Sequence, residues 1–298
     1  MRLQKVLPIV ICVLFGSGCQ PLIQPPIVSP VAVNALADGE RIDIGGRSLW
    51  LRCQGEGSPT VILEAGLGAD HAAWDQVQPD AARLTRVCSY DRAGLGASDP
   101  APTLHTTQHM VDDLHALLTQ ANVQGPYVLV GHSIGGLPVR LYARQFPDDV
   151  VGLVLVDAVH EDWWKRSAAY LMPELVTEDQ LLAELQRFNG NENGEPHEKM
   201  EAIDMATSVA QLRVNRNLGD LPLIVLIAGI PDVAASLPEA LQTPLVRLLQ
   251  VELPADLVKL SSNSMALTVP DSGHNIPQQK PAVVLAAIQT LVEIGRGE

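Results

Sequence analysis

The chain has 298 residues, 47% of them hydrophobic, and 34 acidic against 20 basic side chains give a formal net charge of −14. That length can bury a large core in one domain or two small ones, and the hydrophobic share excludes a disordered chain. The negative charge argues against nucleic acid and anionic lipid surfaces as partners, since both require clustered Lys and Arg.

The first element is the N-terminal segment MRLQKVLPIVICVLFGSGC. Arg2 and Lys5 precede an apolar run, Val6 to Phe15, that is short for a bilayer span and suits an export signal. Small residues lead to Cys19, and the segment resembles a bacterial lipoprotein signal, with Gly16 where that motif usually has Leu. The resemblance implies a signal over residues 1–19 and a lipid anchor on Cys19 as the sole membrane contact. The Pro-rich stretch over 20–39 then reads as an extended tether. The expected location is exported, facing the periplasm or cell exterior; ordinary secretion and an uncleaved anchor are the alternatives. Cys12 falls in the signal, which leaves Cys53 and Cys88. In an oxidising compartment two such thiols suggest one disulfide, and two buried free thiols are the other reading.

ERIDIG and RSLWLRC read as two strands around a Gly45-Gly46 turn. TVILEAG is an apolar run bounded by Pro59 and Gly66 and reads as a buried strand, as does RVCSYD, which ends at Asp91. Met110, Leu114, Leu117, Leu118 and Ala121 share one helical face. A strand starts at Tyr127 and a helix follows Ser133. VGLVLVD, LPLIVLIAG and MALTVP are further strands, and the final helix starts with Pro281 at its first position and closes on Gly295 and Gly297. Apolar strands alternating with helices predict a mainly parallel sheet covered on both faces. Residues 159–220 break the alternation without a convincing strand, and an excursion of that length is expected to be a helical lid.

The sharpest local signal is Gly131-His132-Ser133-Ile134-Gly135-Gly136, a G-x-S-x-G between an apolar strand and a helix. A tight strand-to-helix turn there exposes the serine oxygen and aims the helix N-terminus beside it, so the Ile134 amide can face an oxyanion. Glycines at 131 and 135 let strand and helix approach closely.

With that elbow, LEAGLGADHAAWDQV, YDRAGLGASD and DSGHNI in order, the chain resembles the α/β-hydrolase superfamily over about residues 40–295, which sets the expected domain at 40–298. The resemblance implies an eight-stranded, mostly parallel sheet with helices on both faces and a helical lid. It implies a serine hydrolase cleaving a carboxylic ester, lactone or related acyl compound through an acyl-enzyme. An amidase, thioesterase or carbon–carbon bond hydrolase with the same residues, or a low-turnover ligand-binding sensor, are the alternatives. Ser133 would be the nucleophile, His274 the base, and the amides of Leu67 and Ile134 the oxyanion donors. Asp232, in a G-x-x-D placement after the seventh strand, is the expected acid; Asp157 at the end of the sixth is the alternative and Asp271 a distant third. His71 is a weaker candidate for substrate contact, and Asp91 and Arg92 are expected to structure their loop. In this fold the strands carrying Cys53 and Cys88 are neighbours, so a bridge between them is geometrically feasible. The expected partner is a small acyl substrate, without nucleic acid. No cofactor or metal signature appears, and oligomeric state has no signature either.

Overall fold

The computed structural model describes residues 38–171, 201–231 and 239–298. The expected signal, Cys19, most of the tether, Asp232 and the middle of the expected lid lie outside the described residues.

Eight strands form one sheet in the order β1-β2-β4-β3-β5-β6-β7-β8. β1 (Glu40–Asp43) and β2 (Ser48–Gln54) form the hairpin, whose Gly45 and Gly46 both have positive φ and donate their amides to Asp43. β2 runs antiparallel to β1 and β4 (Val87–Tyr90); all other pairings are parallel. The buried centre is β3 (Thr60–Glu64), β5 (Tyr127–His132), β6 (Val150–Val156) and β7 (Leu223–Ala228). These are the continuous apolar runs, because helices cover both of their faces. β2 alternates half-buried and buried residues, while β8 (Ser264–Val269), at the sheet edge, is largely exposed.

Successive residues of a strand face opposite sides. Leu129, Leu153, Leu155 and Val225 therefore join one core, with α2 (Thr107–Gln120) and α3 (Gly136–Gln145). Val128, Val130, Val154 and Val156 join the other, with Trp74 and with Ile288 and Leu291 of the C-terminal helix, Pro281–Arg296. Each such fully buried aliphatic side chain contributes roughly 1.5–3 kcal/mol. The helix α2 buries Met110, Leu114, Leu117 and Leu118, the face read from the sequence, and Thr106 caps it with His109 closing the box. α1 (Gln78–Ala81) lies beside β4.

Cys53 and Cys88 are direct register partners on β2 and β4 and form a disulfide, with Cα atoms 4.1 Å apart. Between β6 and β7 the described part of the excursion holds α4 (Trp163–Leu171) and α5 (Met205–Arg213), and no full strand. Buried Arg140 on α3 ties down its start, donating to Glu161 (2.7 Å) and to the carbonyl of Val159 (3.2 Å). Burial would raise the Glu161 carboxyl, but Arg140 and His160 outweigh it and hold it at about 2.

Candidate active site

β5 ends at His132, and Ser133 opens the helical turn that leads into α3. Ser133 has φ 53°, a left-handed conformation that costs a non-glycine residue of order 1–3 kcal/mol. The surroundings enforce it. A Cβ on Gly131 would lie 2.6 Å from the Gly135 carbonyl oxygen, and one on Gly135 would lie 2.6 Å from that of Ala65. The Ser133 carbonyl accepts from the Val159 amide (2.9 Å), which joins the elbow to the excursion.

His274, in the loop after β8, places Nε2 2.9 Å from Ser133 Oγ. Its Nδ1 lies 2.7 Å from Asp157 Oδ2. The other carboxylate oxygen, Oδ1, accepts from the Ala228 amide at 3.0 Å. Asp157 also has positive φ, 42°, and its own amide donates to Leu226, so the chain turns sharply at the end of β6. Asp157, the alternative acid of the sequence, thus lies against His274 Nδ1; the expected acid, Asp232, lies outside the described residues. The turn at Asp157 directs its carboxylate from the β6 end towards the loop after β8. Asp271 is exposed on that loop.

The His132 ring packs beside that of His274, with centroids 4.8 Å apart. Its Nε2–H donates to the His274 carbonyl (2.9 Å). Burial, reinforced by nearby His274, pushes its imidazole down to about 4, so it is neutral at physiological pH.

The loop after β3 completes the site. Gly66 packs against the elbow: a Cβ there would lie 3.1 Å from His132 Nδ1 and 3.4 Å from Ser133 Cβ. Its carbonyl accepts from Ala69 N (3.2 Å) and Arg92 Nη2 (2.7 Å). The Leu67 N–H has no protein acceptor among the described residues. The Ile134 N–H sits in the first helical turn, where amides lack intrahelical partners.

His71 is engaged by Asp91 and Trp50. Its amide and Nδ1 both meet Asp91 Oδ1, at 2.8 and 2.7 Å, and its ring stacks on Trp50. Asp91 also accepts from the Ala97 amide and is fully buried, so it structures its loop as expected. Asp70, His71 and Asp91 stand close enough to share a cation, but the described hydrogen bonds already account for Asp91.

A cavity of about 240 Å³ opens beside Ser133 and His274, walled mainly by apolar groups including Val159, Trp163, Ile227, Leu249 and Leu253. The sequence reading missed the buried charges behind the site. Glu64, Arg92 and Glu201 are all almost fully buried, and Arg92 binds both carboxylates. Burial raises the Glu64 carboxyl, with Arg92 and the Tyr90 hydroxyl offsetting it. The available signal was a glutamate closing an otherwise apolar strand, which demands a cationic partner.

Known proteins resemble the chain in the same terms. A family profile described as alpha/beta hydrolase fold matches residues 59–218. The uncharacterized protein YqjL of Bacillus subtilis is 26% identical over 79% of this chain and 84% of its own length. A Hormonema carpetanum protein named "Probable transporter efuK" is 28% identical over 85% of this chain, which spans only 42% of that relative. Among solved structures, a thermophilic esterase from Thermogutta terrifontis superposes with a TM-score of 0.59 at 22% identity, over 86% of this chain and 98% of that one. That likeness is one of fold. With the eight-stranded sheet and the serine elbow, the profile match places the chain in the alpha/beta hydrolase fold family.

Proposed function

We propose that the protein is a serine hydrolase that cleaves a carboxylic ester or related acyl compound through an acyl-enzyme on Ser133. The observation that carries this reading is the hydrogen-bonded series Ser133–His274–Asp157. Ser133 Oγ attacks the acyl carbon as its proton passes to His274 Nε2. Asp157 fixes the tautomer with hydrogen on Nδ1 and stabilises the imidazolium. The Leu67 and Ile134 amides take the charge on the carbonyl oxygen. The C–O bond then breaks, and His274 returns the proton to the leaving alkoxide. Water repeats the sequence on the acyl-enzyme, giving the acid and free Ser133. A serine in this place argues against the epoxide-opening and dehalogenating chemistry of the fold, which proceeds through an aspartate alkyl ester. The apolar cavity favours an acyl or alcohol portion without charge.

Short p-nitrophenyl esters test the reading. Wild type turns them over, and Ser133→Ala loses on the order of 10⁴-fold or more while keeping its circular dichroism spectrum. Activity of the alanine variant within tenfold of wild type overturns it. The Cys53–Cys88 bridge supports work in an oxidising compartment, consistent with the export expected from the N-terminal segment. Among the described residues no helix is long and apolar enough to cross a membrane. We place the domain outside the cytoplasm, attached by a lipid on Cys19.

A further inference from the structure

A strand buried on both sides has no dielectric reason to end in a carboxylate, yet β3 ends in Glu64 with no exposed surface. The next residues, Ala65-Gly66-Leu67, form the loop whose Leu67 amide faces the site in the reading above. The structure places a single guanidinium against all of this. Arg92 Nη1 donates to Glu64 Oε1 and to the Ala65 carbonyl, both at 2.6 Å. Arg92 Nη2 donates to the Gly66 carbonyl (2.7 Å) and to Glu201 Oε2 (2.6 Å), and Nε donates to Glu201 Oε1. A guanidinium has five N–H donors in one plane. Here each has an acceptor, so the plane is fixed from both sides.

We propose that Arg92 is a positioning residue for the oxyanion hole, and that Glu201 completes its clamp and so ties the excursion between β6 and β7 to the reacting centre. The peptide plane gives the reason. The Gly66 C=O and the Leu67 N–H belong to one planar trans unit and point in opposite directions. Holding the carbonyl towards Arg92 therefore holds the N–H on the opposite side. Without that hold, only the longer bond from the Ala69 amide (3.2 Å) keeps the Gly66 carbonyl in place, and a glycine offers little resistance to a rotated peptide.

Glu201 gives the clamp its reach. It lies 109 positions from Arg92 in the chain and is itself buried. The segment that carries it is stapled beside α2: the His105 amide donates to the Ala202 carbonyl and the Asp204 amide to the His105 carbonyl, both at 2.7 Å. Asp204 then caps α5 by accepting from the Thr207 amide (2.9 Å). Three separated stretches, the end of β3, the loop after β4 and the return of the excursion, thus meet on one side chain. Lysine cannot replace it, because an ammonium has three donors and no planar fork.

This inference rests on the proposed serine chemistry, and its test separates the two. An oxyanion donor acts on the transition state and not on the bound ester, so its misplacement lowers kcat and leaves KM nearly unchanged. Losing one such donor lowers kcat about 10²–10³-fold. Arg92→Lys and Glu201→Gln are compared with wild type on a p-nitrophenyl ester and with a trifluoromethyl ketone, whose adduct with the serine carries an oxyanion. For Arg92→Lys the expected loss in kcat is of the order of 10²-fold. For the isosteric Glu201→Gln, which weakens one half of the clamp, it is of the order of 10-fold. In both, the inhibitor's Ki rises in parallel with the fall in kcat/KM, while KM stays within about threefold. If Arg92→Lys does not fold, Glu201→Gln alone decides. Glu201→Gln activity and Ki within threefold of wild type overturn the proposal, as does a loss that appears in KM or only tracks loss of the folded fraction by circular dichroism. Those results leave the serine reading intact, since wild type still turns over; if wild type and Ser133→Ala behave alike, the serine reading fails first.

Discussion

Asp157→Asn is a small change in shape with a large expected effect on chemistry. The Ala228 amide donates to Asp157 Oδ1 at 3.0 Å, and Oδ2 lies 2.7 Å from His274 Nδ1. An asparagine has one acceptor oxygen and one NH₂ donor to distribute over these two positions. Placing the NH₂ against Ala228 would set donor against donor, so the oxygen stays there and the NH₂ faces His274. The imidazole must then accept at Nδ1 and carry its hydrogen on Nε2, the atom 2.9 Å from Ser133 Oγ. In that tautomer it cannot take the serine proton. The carboxylate charge opposite the imidazolium is lost as well. The corresponding change in a serine protease lowers kcat about 10⁴-fold, equivalent to about 5.4 kcal/mol at ~1.36 kcal/mol per decade. The assay is kcat/KM on p-nitrophenyl esters near neutral pH, with thermal unfolding as a control. A loss below tenfold, or a larger loss from Asp232→Asn than from Asp157→Asn, refutes the assignment.

Burial pushes His132 and His160 down to about 4 from an ordinary 6.5. The unfolded chain therefore binds more protons than the folded one between those values, and stability falls as pH drops from about 6.5 to about 4. Urea unfolding at several pH values checks this, and His132→Gln should reduce the slope; a stability that rises on acidification contradicts it. Thiol counting on unfolded, unreduced protein should find Cys53 and Cys88 unreactive, and two reactive thiols at those positions contradict the bridge. Cys19→Ser should move the protein from the membrane fraction to the soluble one or leave it unprocessed; identical soluble forms of mutant and wild type exclude the anchor.

Much of the fold was legible because the central strands are apolar throughout, and a chain that buries both faces of a strand has few other ways to write it. The elbow was legible for a steric reason: Gly131 and Gly135 stand where a Cβ would strike backbone. The acid was harder to read. Asp157 and Asp232 both follow apolar strands, and nothing local distinguishes them. What favours Asp157 is its positive φ and the Ala228 amide contributed by the next strand, neither of which shows in the local sequence. The excursion's contribution was hidden for a similar reason. Glu201 belongs to no motif, and its meeting with Arg92 depends on where a long segment returns. Glu64 alone, a charge at the end of a buried strand, hinted at the partner it finds.

The most direct measurement is intact-mass spectrometry of the full chain treated with a fluorophosphonate, followed by peptide mapping. The serine chemistry predicts one adduct per chain, on Ser133, with ester turnover lost in proportion to labelling and no adduct on Ser133→Ala. An adduct at another residue, or full turnover by stoichiometrically labelled protein, contradicts it.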